Sequence, residues 1–280
     1  MKKFVVILIA IISITAFSLT VYYGFKHARG VPVPIEQPTS ILLKSLFVDK
    51  GIDFAKGIDA EFWATLPSQD IKLLYQVMVL PWPKVVTPSV TVKSFHNKKD
   101  IYFYMNWKDE TENRTLGTGK FSDACAIMFP FDKDPQMPTL MMGFLGKANI
   151  WQWRGSQDRE YWHKETAETK AYSDFYYPFE EEELFPVSKE AYQSAANDLM
   201  AIRVGTITQK ERQDVQGRGF WKNGAWHVVF KRSLKAFDPE IDAVFVNAQK
   251  RLCAFAVWNG ENGDRGSRKS ISDWVELEVE

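Results

Sequence analysis

Three methionines stand close together, just ahead of two tryptophans. Met128 lies in the apolar run 121–131, and Met141 and Met142 precede Gly143 in the segment MMGF. A thioether side chain fills irregular gaps in a hydrophobic core, and it is also an axial ligand of redox metals. A glycine beside a methionine permits close approach of another group. Core residue and metal ligand are therefore both open interpretations for each methionine.

The two tryptophans that follow, Trp151 and Trp153, are two positions apart in an apolar segment. On a β-strand this spacing puts both side chains on the same face. The chain has 10 tryptophans in 280 residues, and such aromatic side chains pack in cores, stack on sugars or line a flat hydrophobic cofactor. All three uses are compatible with the residues alone.

A third group of residues lies near the end of the chain. Residues 259–267 are rich in glycine, and Arg268 and Lys269 follow, ahead of Trp274 on a predicted strand. Cations beside an aromatic strand can bind an anionic group. They are equally typical of a basic hairpin tip.

Bulk composition excludes several classes of protein. Lys plus Arg and Asp plus Glu both number 35, so the formal net charge is zero, and we expect no nucleic-acid partner. The sequence has no CxxCH, no CxxC, no GxSxG, no P-loop and no HExxH spacing among its four histidines, which argues against catalysis by this chain. Cys125 and Cys253 lie in apolar runs, as two buried thiols or as one disulfide.

The amino terminus predicts a membrane or export element. Lys2 and Lys3 precede an uncharged apolar run, Phe4–Phe25, which at about 1.5 Å per residue reaches across a ~30 Å hydrocarbon core. We predict an N-terminal signal-anchor or signal peptide over residues 1–30, preferring an uncleaved transmembrane helix, and a proline-rich spacer over 31–40. The remainder is then exported to the periplasm or an equivalent compartment.

The body of the chain, residues 41–280, has the pattern of an all-β domain. Residues 90–107 alternate as a hairpin around a turn at 96–99. Further predicted strands follow at short spacing, which is typical of a sandwich or barrel: 124–131, 148–154, 199–209, 225–234, 243–249, 252–260 and 272–280. Residues 155–200 form a long, partly helical insertion with a short helix over 188–198, serving as a partner contact or a solvated loop.

Six segments in this order resemble one protein family: FWATLP, KKDIYFYMNWKDET, FSDACAIMFPF, MMGFLGKANIWQW, WHVVFKRSL and AFAVWNGENGDRGSRKSISDW. They are similar to the haem-b-binding gamma subunit of the periplasmic molybdenum oxidoreductases of the dimethyl sulfoxide reductase superfamily. That family includes ethylbenzene dehydrogenase, dimethyl sulfide dehydrogenase, selenate and chlorate reductases and nitrite oxidoreductase. The resemblance covers roughly residues 60–280.

The resemblance implies an immunoglobulin-like antiparallel β-sandwich that holds one non-covalent haem b between its sheets, with a methionine and a lysine as axial ligands of the iron. By position, the ligands are Met142 and Lys269, with Met128 as a pocket wall and second choice, and Lys231 as the second choice of lysine. The residues predicted to line the cofactor are Trp151, Trp153, Met128 and Arg268.

The function implied is electron transfer without substrate chemistry. The haem would pass single electrons between an iron–sulfur subunit and an external carrier such as a soluble cytochrome c, while a molybdenum subunit performs catalysis. The alternative is an anchored carbohydrate-binding β-sandwich that presents its tryptophans to sugars and holds no haem.

Overall fold

A computed structural model describes residues 41–76, 85–131, 146–163, 192–202 and 206–280. The predicted N-terminal segment 1–30 and the spacer 31–40 lie outside these residues. Of the helices that are described, none has the length and apolar character needed to cross a lipid bilayer.

The described part of the chain is all-β, as predicted. Its strands are β1 (Leu42–Phe47), β2 (Gln69–Lys72), β3 (Leu74–Tyr75), β4 (Ser89–His96), β5 (Asp100–Lys108), β6 (Ala124–Pro130), β7 (Ala148–Arg154), β8 (Ala196–Ala201), β9 (Thr208–Gln209), β10 (Gln216–Lys222), β11 (Ala225–Ser233), β12 (Lys250–Trp258), β13 (Ser270–Ile271) and β14 (Val275–Val279). Two α-helices, α1 (Ala60–Thr65) and α2 (Gly155–His163), and a 3-10 turn at Phe54–Lys56 complete it.

The strands pair in one continuous ladder, in the order β10-β11-β5-β4-β1-β14-β12-β6-β7-β8-β9. All these neighbours are antiparallel except β1, which runs parallel to both β14 and β4. The half that contains β4, β5 and β11 packs against the half that contains β6, β7 and β12, because one core cluster draws its residues from both halves. The sandwich prediction is confirmed, with two parallel pairings added at β1.

Large side chains fill the space between the two halves. Phe103 and Trp107 enter it from β5, Trp151 and Trp153 from β7, and Phe255 from β12, and all are almost inaccessible to solvent. Each buried aromatic side chain removes roughly 150–250 Å² from water. On β5 and β7 these residues are two or four positions apart, which agrees with the alternation of side chains expected for strands.

Two predicted elements are wrong. Residues 243–249 alternate like a strand, but they form a loop outside the ladder. Side chains satisfy its backbone instead, since Arg232 donates to the Ala243 carbonyl and the Ala243 N–H donates to Asn149 Oδ1. The predicted helix over 188–198 is also incorrect at its end, because Ala196, Asn197 and Asp198 belong to β8.

The helical part of the insertion is α2, which follows β7 directly. The two cysteines, left open by the sequence, are both free and buried.

Candidate cofactor site

The outer face of the second half of the sandwich is built from small residues. We call it the alanine face, and its members are Ala124, Ala126, Ala148, Ala201, Ala254 and Ala256, all buried. On β6 and β12 the inward side chains include Ile127, Phe129 and Phe255, whereas the outward ones are largely alanine. Because alanine ends at Cβ, a flat group can approach the strand backbones closely here.

Lys269 borders the alanine face at one end. Its Nζ lies 5.0 Å from the centroid of the Trp258 ring, and Trp258 is held in place because its Nε1 donates to the Gly266 carbonyl at 3.0 Å. Lys269 is only 6 % exposed, and burial lowers its pKa to about 8. Within the described residues it forms no ion pair with a carboxylate.

Met128 lies toward the other end of the same face. Met128 pairs with Ala254 across the β6–β12 ladder, and Ala124 pairs with Trp258. Ala254 and Trp258 are four positions apart on β12, which corresponds to about 13 Å at the usual rise per residue. The alanine face therefore has a methionine toward one end and a buried lysine at the other.

Met142, the first choice of ligand from the sequence, lies outside the described residues. The segment that contains it leaves β6 at Phe131 and is described again from Gly146. Phe131 N–H donates to the Lys147 carbonyl at 3.0 Å, and Gly146 N–H donates to the Ile202 carbonyl at 3.3 Å. Both ends of this segment are thus at the Met128 end of the face, away from Lys269.

The structure does not bring Trp151 and Trp153 to the alanine face. They lie on the opposite side of β7, inside the sandwich, where Trp151 Nε1 donates to Asn149 Oδ1 at 3.0 Å and Trp153 Nε1 donates to Asp158 Oδ2 at 2.8 Å. The two tryptophans do share a face, as their spacing predicted, but that face is the interior of the sandwich. The space between the sheets, where the resemblance implied the haem, is filled by buried side chains.

Trp258 and Trp274 are the aromatic residues packed with the alanine cluster. The sequence contained the signal that was missed for Trp258. Ala254, Ala256 and Trp258 alternate on β12 and so share a face.

The two remaining predicted cations differ in position. Arg268 directly precedes Lys269, is half-buried, and its N–H donates to the Arg265 carbonyl in a tight turn. Lys231, the second choice of lysine, is on β11 and its Nζ lies 3.4 Å from Asp100 Oδ2. The structure does not bring Lys231 to the alanine face.

A buried carboxyl group connects the start of β6 to the loop that leads to Lys269. Asp123 Oδ1 accepts from Gly260 N–H at 2.7 Å, and its Oδ2 accepts from Asn113 N–H at 2.7 Å and from Trp226 Nε1 at 2.9 Å. Burial, with a smaller contribution from Asp109, raises the pKa of Asp123 to about 7. From the sequence alone, Asp123 is an ordinary candidate for a turn or for the start of a strand.

These observations define a class of protein, namely a β-sandwich with an outer face of small residues and a buried lysine beside that face. The family described as Ethylbenzene dehydrogenase matches residues 60–270. This chain belongs to the ethylbenzene dehydrogenase family, as its resemblance predicted.

Two curated relatives are similar over most of this chain. A protein of Haloferax mediterranei, provisionally named respiratory nitrate reductase heme subunit ORF7, is 24% identical over 217 residues, which are 77% of this chain and 65% of the relative. The chlorate reductase subunit gamma of Ideonella dechloratans is 20% identical over 227 residues, 80% of this chain and 79% of the relative. The match thus spans slightly less than two thirds of the first relative's length.

Among solved structures, a family 9 carbohydrate-binding module of Caldicellulosiruptor kristjanssonii in complex with glucose superimposes with a TM-score of 0.43 and 8% identity, covering 85% of this chain and 95% of the module. Its complex with cellotriose gives the same TM-score. A likeness of this degree says nothing about the ligand.

Proposed function

We propose that this chain binds one haem b against the alanine face and serves as an electron-transfer subunit of an oxidoreductase complex. The observation that carries the proposal is Lys269, a buried lysine without a described carboxylate partner, at the edge of a sheet face made of alanine. The names of both curated relatives, a nitrate reductase heme subunit and a chlorate reductase gamma subunit, support it.

Lys269 suits the role of an axial ligand because its environment favours the neutral amine. An amine coordinates a metal only after it loses its proton. Burial lowers the pKa of Lys269 from 10.5 to about 8, and at about 1.4 kcal/mol per pKa unit this removes roughly 3 kcal/mol from the cost of deprotonation at neutral pH. Lys231, by contrast, is paired with a carboxylate, because its Nζ lies 3.4 Å from Asp100 Oδ2.

Met142 is the proposed second ligand, and Met128 is the proposed wall of the pocket. Met142 stands four residues before Gly146, where the chain rejoins the sandwich at the end of the face opposite Lys269. Met142 would hold the cofactor together with Lys269, and its thioether would supply the second ligand atom. Met128 itself is held in the strand ladder opposite Ala254.

When bound, the haem supplies one-electron redox chemistry, and a thioether ligand raises its reduction potential. The chain's own residues exclude water and hold the ligands in place. The alanine side chains and Trp258 form a dry wall, Arg268 is positioned to meet an anionic group beside Lys269, and Trp151 and Trp153 support β7 from within the core.

We also propose partners and a compartment for this chain. Electrons would pass between an iron–sulfur subunit and a soluble cytochrome c or similar carrier, with catalysis in a partner molybdenum subunit. Export, and anchoring to a membrane through residues 1–30, follow from the apolar segment in the sequence. The domain 41–280 would then hold the cofactor outside the cytoplasm.

The test is a pyridine haemochrome assay on the full chain, together with reduced-minus-oxidised spectra. We expect one haem b per chain. Lys269→Ala should lose the low-spin spectrum, whereas Lys231→Ala, the matched control, should keep it. Met142→Ala should also lose it and Met128→Ala should keep it, with the reverse result moving the ligand to Met128. Glycan binding without b-type bands would overturn the proposal in favour of a carbohydrate-binding module.

A further inference from the structure

Three aspartates meet beneath the loop that leads to Lys269. Asp109 follows β5, Asp123 precedes β6, and Asp264 lies between β12 and β13. Their exposed fractions are 3 %, 0 % and 3 %. Carboxyl groups are almost never buried unless they are paired or hydrogen-bonded, so three buried together are an unusual feature of this fold.

Hydrogen bonds satisfy these carboxyl groups unequally. Asp123 accepts from three N–H groups, and Asp264 Oδ2 accepts from Asn259 N–H at 3.1 Å. Asp109 Oδ1 accepts from Thr111 N–H at 3.2 Å. The other oxygen of Asp109, Oδ2, is buried and has no donor in hydrogen-bonding geometry among the described residues. Burial raises the pKa of Asp109, while the nearby side chains of Thr111, Trp107 and Asn259 oppose that shift. Three carboxyl groups buried close together repel one another when all are ionised, and this favours a proton on one of them.

The cluster lies at the Lys269 end of the alanine face. Asp123 directly precedes Ala124, whose partner across the ladder is Trp258. Asp123 also accepts from Gly260 N–H, two residues after Trp258. The cluster is therefore connected by one strand pairing and one hydrogen bond to the residue that contacts Lys269.

Few charged groups surround Asp123. The neighbouring carboxylates favour its protonated form, and the arginines would favour its ionised form. Burial, and then Asp109, raise the pKa of Asp123 to about 7. Burial raises the pKa of Asp264 to about 6, against the nearby charge of Arg268, with Asp109 again raising it. On the β11 side, Arg114 stacks on Trp226 at 4.7 Å.

The charge of Arg114 is already engaged by Asp158 at 2.6 Å and Glu112 at 2.6 Å. Arg265, in the loop above, stacks on Phe121. Among the described residues, therefore, no cation forms an ion pair with Asp123.

We propose that Asp123 takes up a proton when the cofactor on the alanine face is reduced and releases it on oxidation. This rests on the proposed function. One electron arrives from a one-electron donor such as an iron–sulfur centre, and one proton from hydronium or buffer acid in the bulk solvent forms an O–H bond with the Asp123 carboxylate. The two charges cancel, and oxidation reverses both transfers. Asp123 acts through the electrostatic field and through the loop that holds Lys269, so it is a positioning residue.

The test is the midpoint potential of the haem-loaded full chain, measured by spectroelectrochemical titration between pH 5.5 and 8.5. The added electron favours the protonated carboxyl, so we expect the potential to fall as the pH rises across this range. Asp123→Asn should flatten this dependence. Asp273→Asn is the matched control, because Asp273 is an exposed carboxylate four residues from Lys269, and it should leave the dependence unchanged.

Asp123→Asn can fail to fold, because an amide nitrogen cannot accept from both Asn113 N–H and Trp226 Nε1. Asp109→Asn is the second variant. It removes a neighbouring negative charge, so the pH dependence should move to lower pH without disappearing. A pH-independent potential in the wild type, or a slope that persists in Asp123→Asn, or an unshifted slope in Asp109→Asn, would overturn the inference. Absence of a b-type spectrum would overturn the proposed function as well, so the two failures are distinguishable.

Discussion

Lys269 Nζ lies 5.0 Å from the centroid of the Trp258 ring, so two opposing effects act on one amine. The face of an aromatic ring attracts an ammonium ion by about 0.5–2 kcal/mol. Burial disfavours the ammonium form and lowers the pKa of Lys269 to about 8, a shift worth roughly 3 kcal/mol. Desolvation is the larger effect, and the balance leaves an amine that releases its proton readily.

Haem affinity should therefore depend on pH through Lys269. Only the neutral amine coordinates, so we expect the affinity of the haem-free chain for haem to increase about tenfold per pH unit below pH 8 and to level off above it. Equilibrium titration at several pH values measures this. Lys269→Met should remove the dependence while retaining a ligand atom, and a pH-independent affinity in the wild type would show that Lys269 does not coordinate.

Enlarging the alanine face should block the cofactor. Ala126 and Ala256 are directly paired and fully buried. Ala126→Leu places a branched side chain where the proposal puts haem, so we expect haem content to fall by at least tenfold. Overpacking costs about 1–3 kcal/mol of stability, which chemical denaturation of the haem-free variant would report separately. Ala64→Leu, on the exposed side of α1, is the control and should retain haem.

The alternation of apolar and polar residues in the sequence predicted most strands of the sandwich. It did not predict how β1 pairs or that residues 243–249 form a loop. An alternation of inward and outward side chains is recognisable only in longer strands. Such strands are β4 and β5, which form a hairpin, and β6, β7, β11 and β12. β1 pairs in parallel with two distant strands, and no local pattern encodes such a pairing. Residues 243–249 alternate like a strand, yet at Ala243 the backbone pairs with the side chains of Arg232 and Asn149 rather than with a neighbouring strand.

Residue types and a family resemblance single out candidate ligands from the sequence, but the sequence does not say which face of a strand a residue occupies. Lys269 was selected from a resemblance, and the structure shows it buried. Trp151 and Trp153 share a face, but alternation alone does not say which face is interior. The run of alanines at alternate positions of β6 and β12 was the clue to the outer face, because small residues there are packed with Trp258.

The two cysteines should be unreactive in the folded protein. Cys125 and Cys253 are free and fully buried, and burial raises the pKa of Cys253 to about 12. Since the thiolate is the nucleophile, we expect no labelling by a thiol reagent under native conditions and two labelled thiols in denaturant without reductant. Fewer than two in denaturant would indicate a disulfide.

Gly219 should be among the residues least tolerant of substitution. A Cβ at this position would lie 2.1 Å from Trp153 Cζ2, inside the core. We expect Gly219→Ala to lower the free energy of unfolding by at least about 3 kcal/mol, the upper end of the range for overpacking. Gly51→Ala is the control, because its nearest neighbour would be Tyr102 Oη at 3.9 Å, and it should change stability by less than about 1 kcal/mol.

Lys210 neutralises two buried carboxylates at the β8–β9 edge of the sheet. Its Nζ lies 2.7 Å from Asp198 Oδ2 and also pairs with Asp242, and all three side chains are almost fully buried. Lys210→Met should therefore cost about 3–5 kcal/mol at pH 7, because it leaves both charges unpaired. Urea unfolding monitored by tryptophan fluorescence measures this loss.

The pH dependence of that loss separates charge from packing. Although burial opposes it, the hydrogen bond from Lys210 holds the pKa of Asp242 below its ordinary value. The stabilisation that comes from Asp242 is therefore present at neutral pH in the wild type and is lost only in strong acid. Burial raises the pKa of Asp198 despite its contact with Lys210, so the cost of its ionised form is relieved as the pH falls. In Lys210→Met the unpaired carboxyls should protonate more readily, and the deficit relative to wild type should shrink as the pH falls from 7 toward 4. Lys250→Met, which breaks the exposed pair with Glu276, should cost less than about 1 kcal/mol. A constant deficit for Lys210→Met across this pH range would show that lost side-chain packing, not unpaired charge, accounts for the destabilisation.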